Sequence, residues 1–212
     1  TITYHELREL SYMGATVLHE DSIFPVRFAG IPINIRNTND PSANGTMIVP
    51  AADSFDAERV ITGVAGKKGF SVLNIEKDQM NAEIGYGRKV LEAIEHEGVT
   101  FEHLPSGIDT MSVVVSADMT ERQRRSIIDS ICETCEPEAI SFEDGLALIA
   151  VVGRGMVRAK GTAARVFKAI AESDINIRML DQGSSEISII LGIIESDFEK
   201  ALRAIFGEFV KQ

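Results

Sequence analysis

The stretch GLALIAVVGRGMVRAKGTAARVFKAIAESDINIRMLDQGSSEISIILGI, residues 145–193, decides the fold. GLALIAVVG (145–153) is an unbroken apolar run of strand length, and GTAARVFKAIAESD (161–174) sets Val166, Phe167, Ile170 and Ala171 on one side of a helix. INIRML (175–180) and EISIILGI (186–193) are two further strands about the turn DQGSS (181–185). SDFEKALRAIFGEFV (196–210) is a second helix, with Ser196 or Asp197 as its N-cap and Phe198, Leu202, Ile205 and Phe206 turned inward. The order is strand, helix, strand, strand, helix.

The same order precedes it. GFSVLNIEK (69–77) is a strand, and NAEIGYGRKVLEAIEHEG (81–98) is a helix burying Ile84, Val90, Leu91 and Ile94 and stopped by Gly98. VTFEHL (99–104) and TMSVVVS (110–116) flank the turn PSGID (105–109), and Thr120 caps ERQRRSIIDSIC (121–132), whose stripe is Ile127, Ile128 and Ile131. EAISFE (138–143) supplies a closing strand. Each unit matches the split βαβ, ferredoxin-like pattern if it owns four strands. The second has no strand after its last helix, whereas RVITGVAG (59–66), ahead of the loop GKKG, is spare. We therefore expect an α+β chain of two βαββαβ domains, the first (66–143) inserted in the second (58–65 plus 144–212).

The first fifty residues differ in texture. ITYHELRELSYMGATVLHEDSIFPVRFAG (2–30) carries Leu7, Leu10, Met13, Val17 and Leu18 at helical spacing, followed by the short strand IPINIRNT (31–38) and the turn cluster NDPSANGT (39–46). One helix and one strand make no core of their own. Residues 1–52 are thus expected to be the trailing edge of a larger domain.

Composition narrows the function. The chain has 212 residues, 32 acidic against 21 basic, for a net charge of -11, which opposes the phosphate neutralisation on which nucleic-acid binding rests. No apolar run reaches membrane-spanning length and no signal-peptide layout opens the chain, so a cytoplasmic protein without a membrane partner is expected. Cys132 and Cys135 stand alone as C-x-x-C at a helix end, without the second pair a zinc site wants, and are expected as reduced thiols. The four histidines, His5, His19, His96 and His103, form no triad or metal spacing.

LSYMGATVLHEDSIFP (10–25), GIPINIRNTNDPSANGTMI (30–48), the stretch 75–115 and the stretch 145–193 together resemble the C-terminal part of aspartate kinases, which convert ATP and L-aspartate to 4-phospho-L-aspartate. The resemblance implies the end of an amino-acid kinase domain (1–52) followed by two ACT domains that pair in a homodimer and sense an end-product amino acid for feedback control. The family's Lys-Phe-Gly-Gly phosphate-binding strand and its aspartate- and ATP-binding residues have no counterpart here. The resemblance therefore implies no catalytic residue and no cofactor in this chain, ATP and Mg belonging to the kinase domain.

A free amino acid needs N–H donors for its carboxylate and an acceptor for its ammonium, which a glycine-rich helix start beside acidic groups offers. Aligned on the family's effector loop, MNAEIGY and its surroundings imply Met80, Glu83, Tyr86 and Gly87, with Phe101, Glu102 and Asp109 from the facing strand and turn. Core packing for Met80 and Tyr86, and solvated acids at Glu83 and Glu102, are the plainer alternatives. Glu83, where the family often has Ser, favours a cationic effector such as lysine over threonine. A dimerisation scaffold with a vestigial site is the rival reading. Two glycine motifs are set aside. Gly153-x-Gly155 has Arg158 where a dinucleotide fingerprint needs its third glycine, despite Asp181 near the ribose-acid position, and GVAGKKG (63–69) lacks the Lys-Ser/Thr ending of a phosphate loop.

Overall fold

The computed structural model describes residues 1–15, 18, 20–51 and 59–210, the side chains of 20–22 excepted. Val17, His19 and the boundary stretch 52–58 lie outside the described residues. The chain divides into a continuous unit, Lys68–Ala147, and a split unit, Thr1–Lys67 with Leu148–Gln212.

The continuous unit contains most of β4 (Gly63–Glu76), then α3 (Tyr86–His96), β5 (Phe101–His103), β6 (Thr110–Ser116), α4 (Glu121–Cys135) and the first part of β7 (Ala139–Val152). Its strand order is β5-β6-β4-β7, the ferredoxin-like arrangement. β4 pairs antiparallel with β6, Phe70 opposite Ser116 and Glu76 opposite Thr110. Alternation along these strands turns Leu73, Ile75, Met111, Val113 and Val115 toward Val90, Ile94, Ile127 and Ile131 of the two helices. α4 begins with a capping box, Thr120 and Gln123 each accepting from the other's backbone N–H.

The split unit repeats the plan with the end of β7, α5 (Thr162–Glu172), β8 (Met179–Asp181), β9 (Ser188–Ile194), α6 (Phe198–Val210) and the start of β4, in the order β4-β7-β9-β8. It also holds β1 (Ile2–Thr3), α1 (Tyr4–Tyr12), α2 (Glu20–Phe28), β2 (Ile33–Ile35) and β3 (Thr46–Val49). There β3 pairs parallel with β1 and antiparallel with β2, over a core of Tyr4, Leu7, Ile23 and Ile48.

Several expectations change. Among the described residues the N-terminal region is two helices and three strands with a core, not one helix and one strand, because β1 and β2 close on β3, which begins at the last residue of the turn cluster 39–46. GKKG is no loop: β4 runs through it, with φ of +92° at Gly69, and β7 likewise joins EAISFE to GLALIAVV through Gly145 at φ +79°. Residues 59–62 precede the strand and are not part of it. Ile84 is 97% exposed because the helix starts after it, at Tyr86. α6 starts behind a 3-10 turn, Glu195–Asp197, and it buries Ala201 and Ile205 while Phe206 is exposed.

Candidate functional site

After β4 the chain enters a 3-10 turn, Met80–Ala82, and reaches α3 through Gly85. Gly85 is left-handed at φ +80° and brings no side-chain cap to the helix, whose Tyr86 N donates to the Glu83 carbonyl at 3.3 Å. Three hydrogen bonds hold the turn. Gln79 N donates to Asp109 Oδ1 at 2.8 Å, Lys77 N to the Asp109 carbonyl at 2.9 Å, and Asn81 N to the Ile108 carbonyl at 3.2 Å. Asp109 is thus a strut: its carboxylate and carbonyl fix the loop to the β5–β6 turn.

Glu83 is already paired. Lys89 Nζ lies 2.6 Å from Oε1 and Lys77 Nζ 4.0 Å from Oε2. The two ammonium groups also donate to carbonyls at the end of α4, Lys89 to Thr134 and Lys77 to Glu136. The Lys89 hydrogen bond outweighs burial and, with the positive charges of Lys89 and Lys77, holds the Glu83 carboxyl below the ordinary carboxylate range. The lysines are the residues that sequence reasoning missed. Their roles depend on α4 returning beside the loop, some 45 residues later, a placement without local signal.

The structure sorts the seven expected residues. Met80 and Tyr86 are core, 4% and 2% exposed, so their side chains are closed to a ligand, and only their backbone is available. The Tyr86 hydroxyl has no hydrogen-bond partner among the described residues, and burial, then the negative charges of Cys135, Glu83 and Glu138, push its pKa up to about 12. Gly87 sits in the first turn of α3, where a methyl group would meet Met111 Cε at 3.5 Å. Phe101 and Glu102 are not at this end. Phe101 pairs with Val115 and Thr110 with Glu76. Five residues of strand, about 17 Å, separate the two ends of β6. Met80, Glu83, Tyr86, Gly87 and Asp109 therefore cluster, while Phe101 and Glu102 lie toward the far end of the hairpin.

Three carboxylates belong to this loop and its supports: Glu83, paired with Lys89 and Lys77, Asp109, accepting from Gln79 N, and Glu138, accepting from Asp78 N. Removing Lys89 should release the Glu83 carboxyl. In Lys89→Met, its pKa should rise back toward the ordinary value. The Glu83 side-chain carbon resonance, titrated by NMR in both proteins, checks this, and an unchanged midpoint would mean the pair does not form in solution.

Among the described residues no cluster of three metal-ligating side chains occurs, and no helix is long and apolar enough to cross a membrane. Both cysteines are free thiols, Cys132 exposed and Cys135 buried. Gly153 and Gly155 admit a close approach of neighbouring backbone. A methyl group on Gly153 would stand 2.5 Å from Ile61 Cα, and one on Gly155 2.7 Å from the Val60 carbonyl.

Two ferredoxin-like units share long strands, and the second of them is an ACT domain, the family model for which matches residues 149–209. The chain corresponds to the ACT-containing region of the aspartokinases. It is 43% identical to aspartokinase 3 of Bacillus subtilis over 98% of its own length and 46% of that protein. It is 31% identical to the bifunctional aspartokinase/homoserine dehydrogenase of Haemophilus influenzae over 96% of this chain and 25% of that one. The aspartate kinase of Clostridium acetobutylicum superposes with a TM-score of 0.89 at 46% identity, covering all of this chain and 48% of that one. Aspartokinase III of Escherichia coli, with aspartate and ADP, shares the fold at a TM-score of 0.80 and 19% identity, over 100% and 46% of the two chains. The chain thus spans about half the length of its single-function relatives and a quarter of the bifunctional ones.

Proposed function

We propose that this chain is the feedback-sensing region of an aspartokinase, in which an end-product amino acid binds at the Met80–Gly87 loop and restrains phosphorylation of L-aspartate by ATP in a kinase domain. On this reading residues 1–52 close the kinase domain, 66–143 form the first ACT domain, and 58–65 with 144–212 form the second. The observation that carries the proposal is the α3 start behind Gly85, reached by a loop that bears Glu83 and is fixed by the Asp109 carboxylate. Helix-start N–H groups suit the effector's carboxylate, and the acidic side chains about the loop suit its ammonium. The carboxylates of Asp109 and Glu138, held by backbone N–H groups of the loop and not by a lysine, keep lysine ahead of threonine although Glu83 itself is paired. Two copies would pair as a homodimer near the loop, where Ile84 and Ile108 are 97% and 67% exposed.

The rival reading is a dimerisation scaffold, favoured by the internal pairing of Glu83 and the burial of Met80 and Tyr86. Calorimetric titration with lysine, threonine and methionine separately distinguishes them. Heat with lysine, weaker heat with threonine, and loss of both in Asp109→Ala are expected. Flat titrations with all three, on a dimer unchanged in sedimentation, would leave the scaffold.

A further inference from the structure

Glu6, on helix α1, is 1% exposed yet charged, and its carboxylate is shared by three segments far apart in sequence. Thr3 gives its backbone N–H and its hydroxyl to Oε2, both at 2.8 Å. Thr62 gives its hydroxyl to Oε1 at 2.5 Å, and Arg154 gives its backbone N–H to the same oxygen at 3.3 Å, with its Nε 3.6 Å from Oε2. Burial alone would raise the carboxyl's pKa, but these hydrogen bonds, that of Thr62 foremost, bring it below the ordinary value, so the group stays ionised.

The two remote partners sit at the same kind of place. Thr62 immediately precedes β4, and Arg154 follows Gly153 just after β7 ends; these are the two strands by which the chain enters and leaves the continuous unit. Thr62 N donates to the Val152 carbonyl at 2.7 Å, tying the strand ends together, and the bare backbones of Gly153 and Gly155 seat the 59–62 strap. A cavity of 450 Å³, lined by Glu6, Leu7, Leu10, Ile61, Thr62 and Arg154 among others, borders the joint and leaves the strap room to shift.

We propose that Glu6 is the coupling joint of the region: its carboxylate gathers both strand ends onto α1, so that displacement of β4 and β7 on effector binding is delivered to α1, which on the reading above is already part of the kinase domain. The inference rests on the feedback reading above for its signal, and on the geometry alone for the joint. Glu6 is a positioning residue, remote in its role from both the effector and the reacting atoms.

Hydrogen exchange on this chain tests the joint without any ligand. In Glu6→Gln the amides of Thr3 and of Arg154 should both exchange about tenfold faster or more, while β6 amides stay protected. Release of Thr3 alone would reduce Glu6 to a helix cap and overturn the proposal. The second arm uses the aspartokinase that carries this chain. Glu6→Gln should raise the effector concentration for half-inhibition about tenfold or more, while the affinity measured on this chain stays within about twofold. Inhibition as in wild type would equally overturn it. Thr62→Val, which removes a single donor at nearly constant volume, should act in the same direction and serves if Glu6→Gln folds poorly. Flat effector titrations of the wild-type chain would defeat the sensing reading, and the exchange result would still decide the joint.

Discussion

Gly153→Ala is expected to lower the unfolding free energy of the split unit by about 2–3 kcal/mol, the upper range for forcing atoms into a filled space. The new methyl would stand 2.5 Å from Ile61 Cα, 2.7 Å from the Val60 carbonyl and 2.8 Å from Thr62 N. All three are backbone atoms, so no side-chain rotation relieves the contact, and the 59–62 strap must lift. Lifting it breaks the Thr62 N to Val152 carbonyl bond and withdraws the Thr62 hydroxyl from Glu6. Urea unfolding should show an earlier midpoint, together with faster exchange of the Thr62 amide. Gly207→Ala gives the opposite sign. It lies within α6 with nothing inside 4 Å of the added carbon, so a gain of about 0.5–1 kcal/mol from helix propensity is expected. Equal effects at the two sites would refute the close approach.

Ile131→Ala should be of similar or larger size, about 3 kcal/mol, through loss of apolar contact and the cavity left behind. Ile131 is fully buried on α4, in the core that holds Leu73, Val90, Ile94, Val113 and Ile127. These partners come from two strands, the other helix and α4 itself, and such a closed neighbourhood collapses poorly into a hole. Ile128, three residues before it and only half-buried, is the comparison. Ile128→Ala should cost less than half as much in the same denaturation experiment. A reversed ranking would mean that α4 presents a different face to its sheet.

Much of this architecture is legible in the chain. Two rounds of strand, helix, strand, strand, helix are written in the apolar periodicities, and a count of strands indicates the insertion, because neither helix stripe nor strand face can be buried without the others. The helix stripes of Val90 with Ile94, Ile127 with Ile131, and Val166 with Ile170 are all buried. Glycine was the misleading signal. GKKG looks like a loop, yet β4 passes through it, since a glycine with positive φ can bend a strand as well as end one. Ile84 and Phe206 fit the helical spacing but lie outside the buried face, one before the helix begins and one on its far side.

The candidate site divides in the same way. The loop of Met80, Glu83, Tyr86 and Gly87 can be found from sequence because its glycines and its place before a periodic helix are local properties. Its electrostatics are not local. Glu83 looks like an unpaired acid until α4 brings the Thr134 and Glu136 carbonyls alongside to hold Lys89 and Lys77 against it. Phe101 and Glu102 are near Asp109 along the chain but toward the other end of a hairpin, a matter of register. Glu6, an ordinary helix-cap partner by its spacing from Thr3, acquires Thr62 and Arg154 only on folding. The sequence by itself determined the elements, their repetition and the position of the loop, because periodicity and backbone preference act over a few residues. Only the tertiary structure decided which charges are spent on one another and which glycines bear a neighbouring backbone, because hydrogen bonds and close contacts depend on distances that sequence separation does not encode.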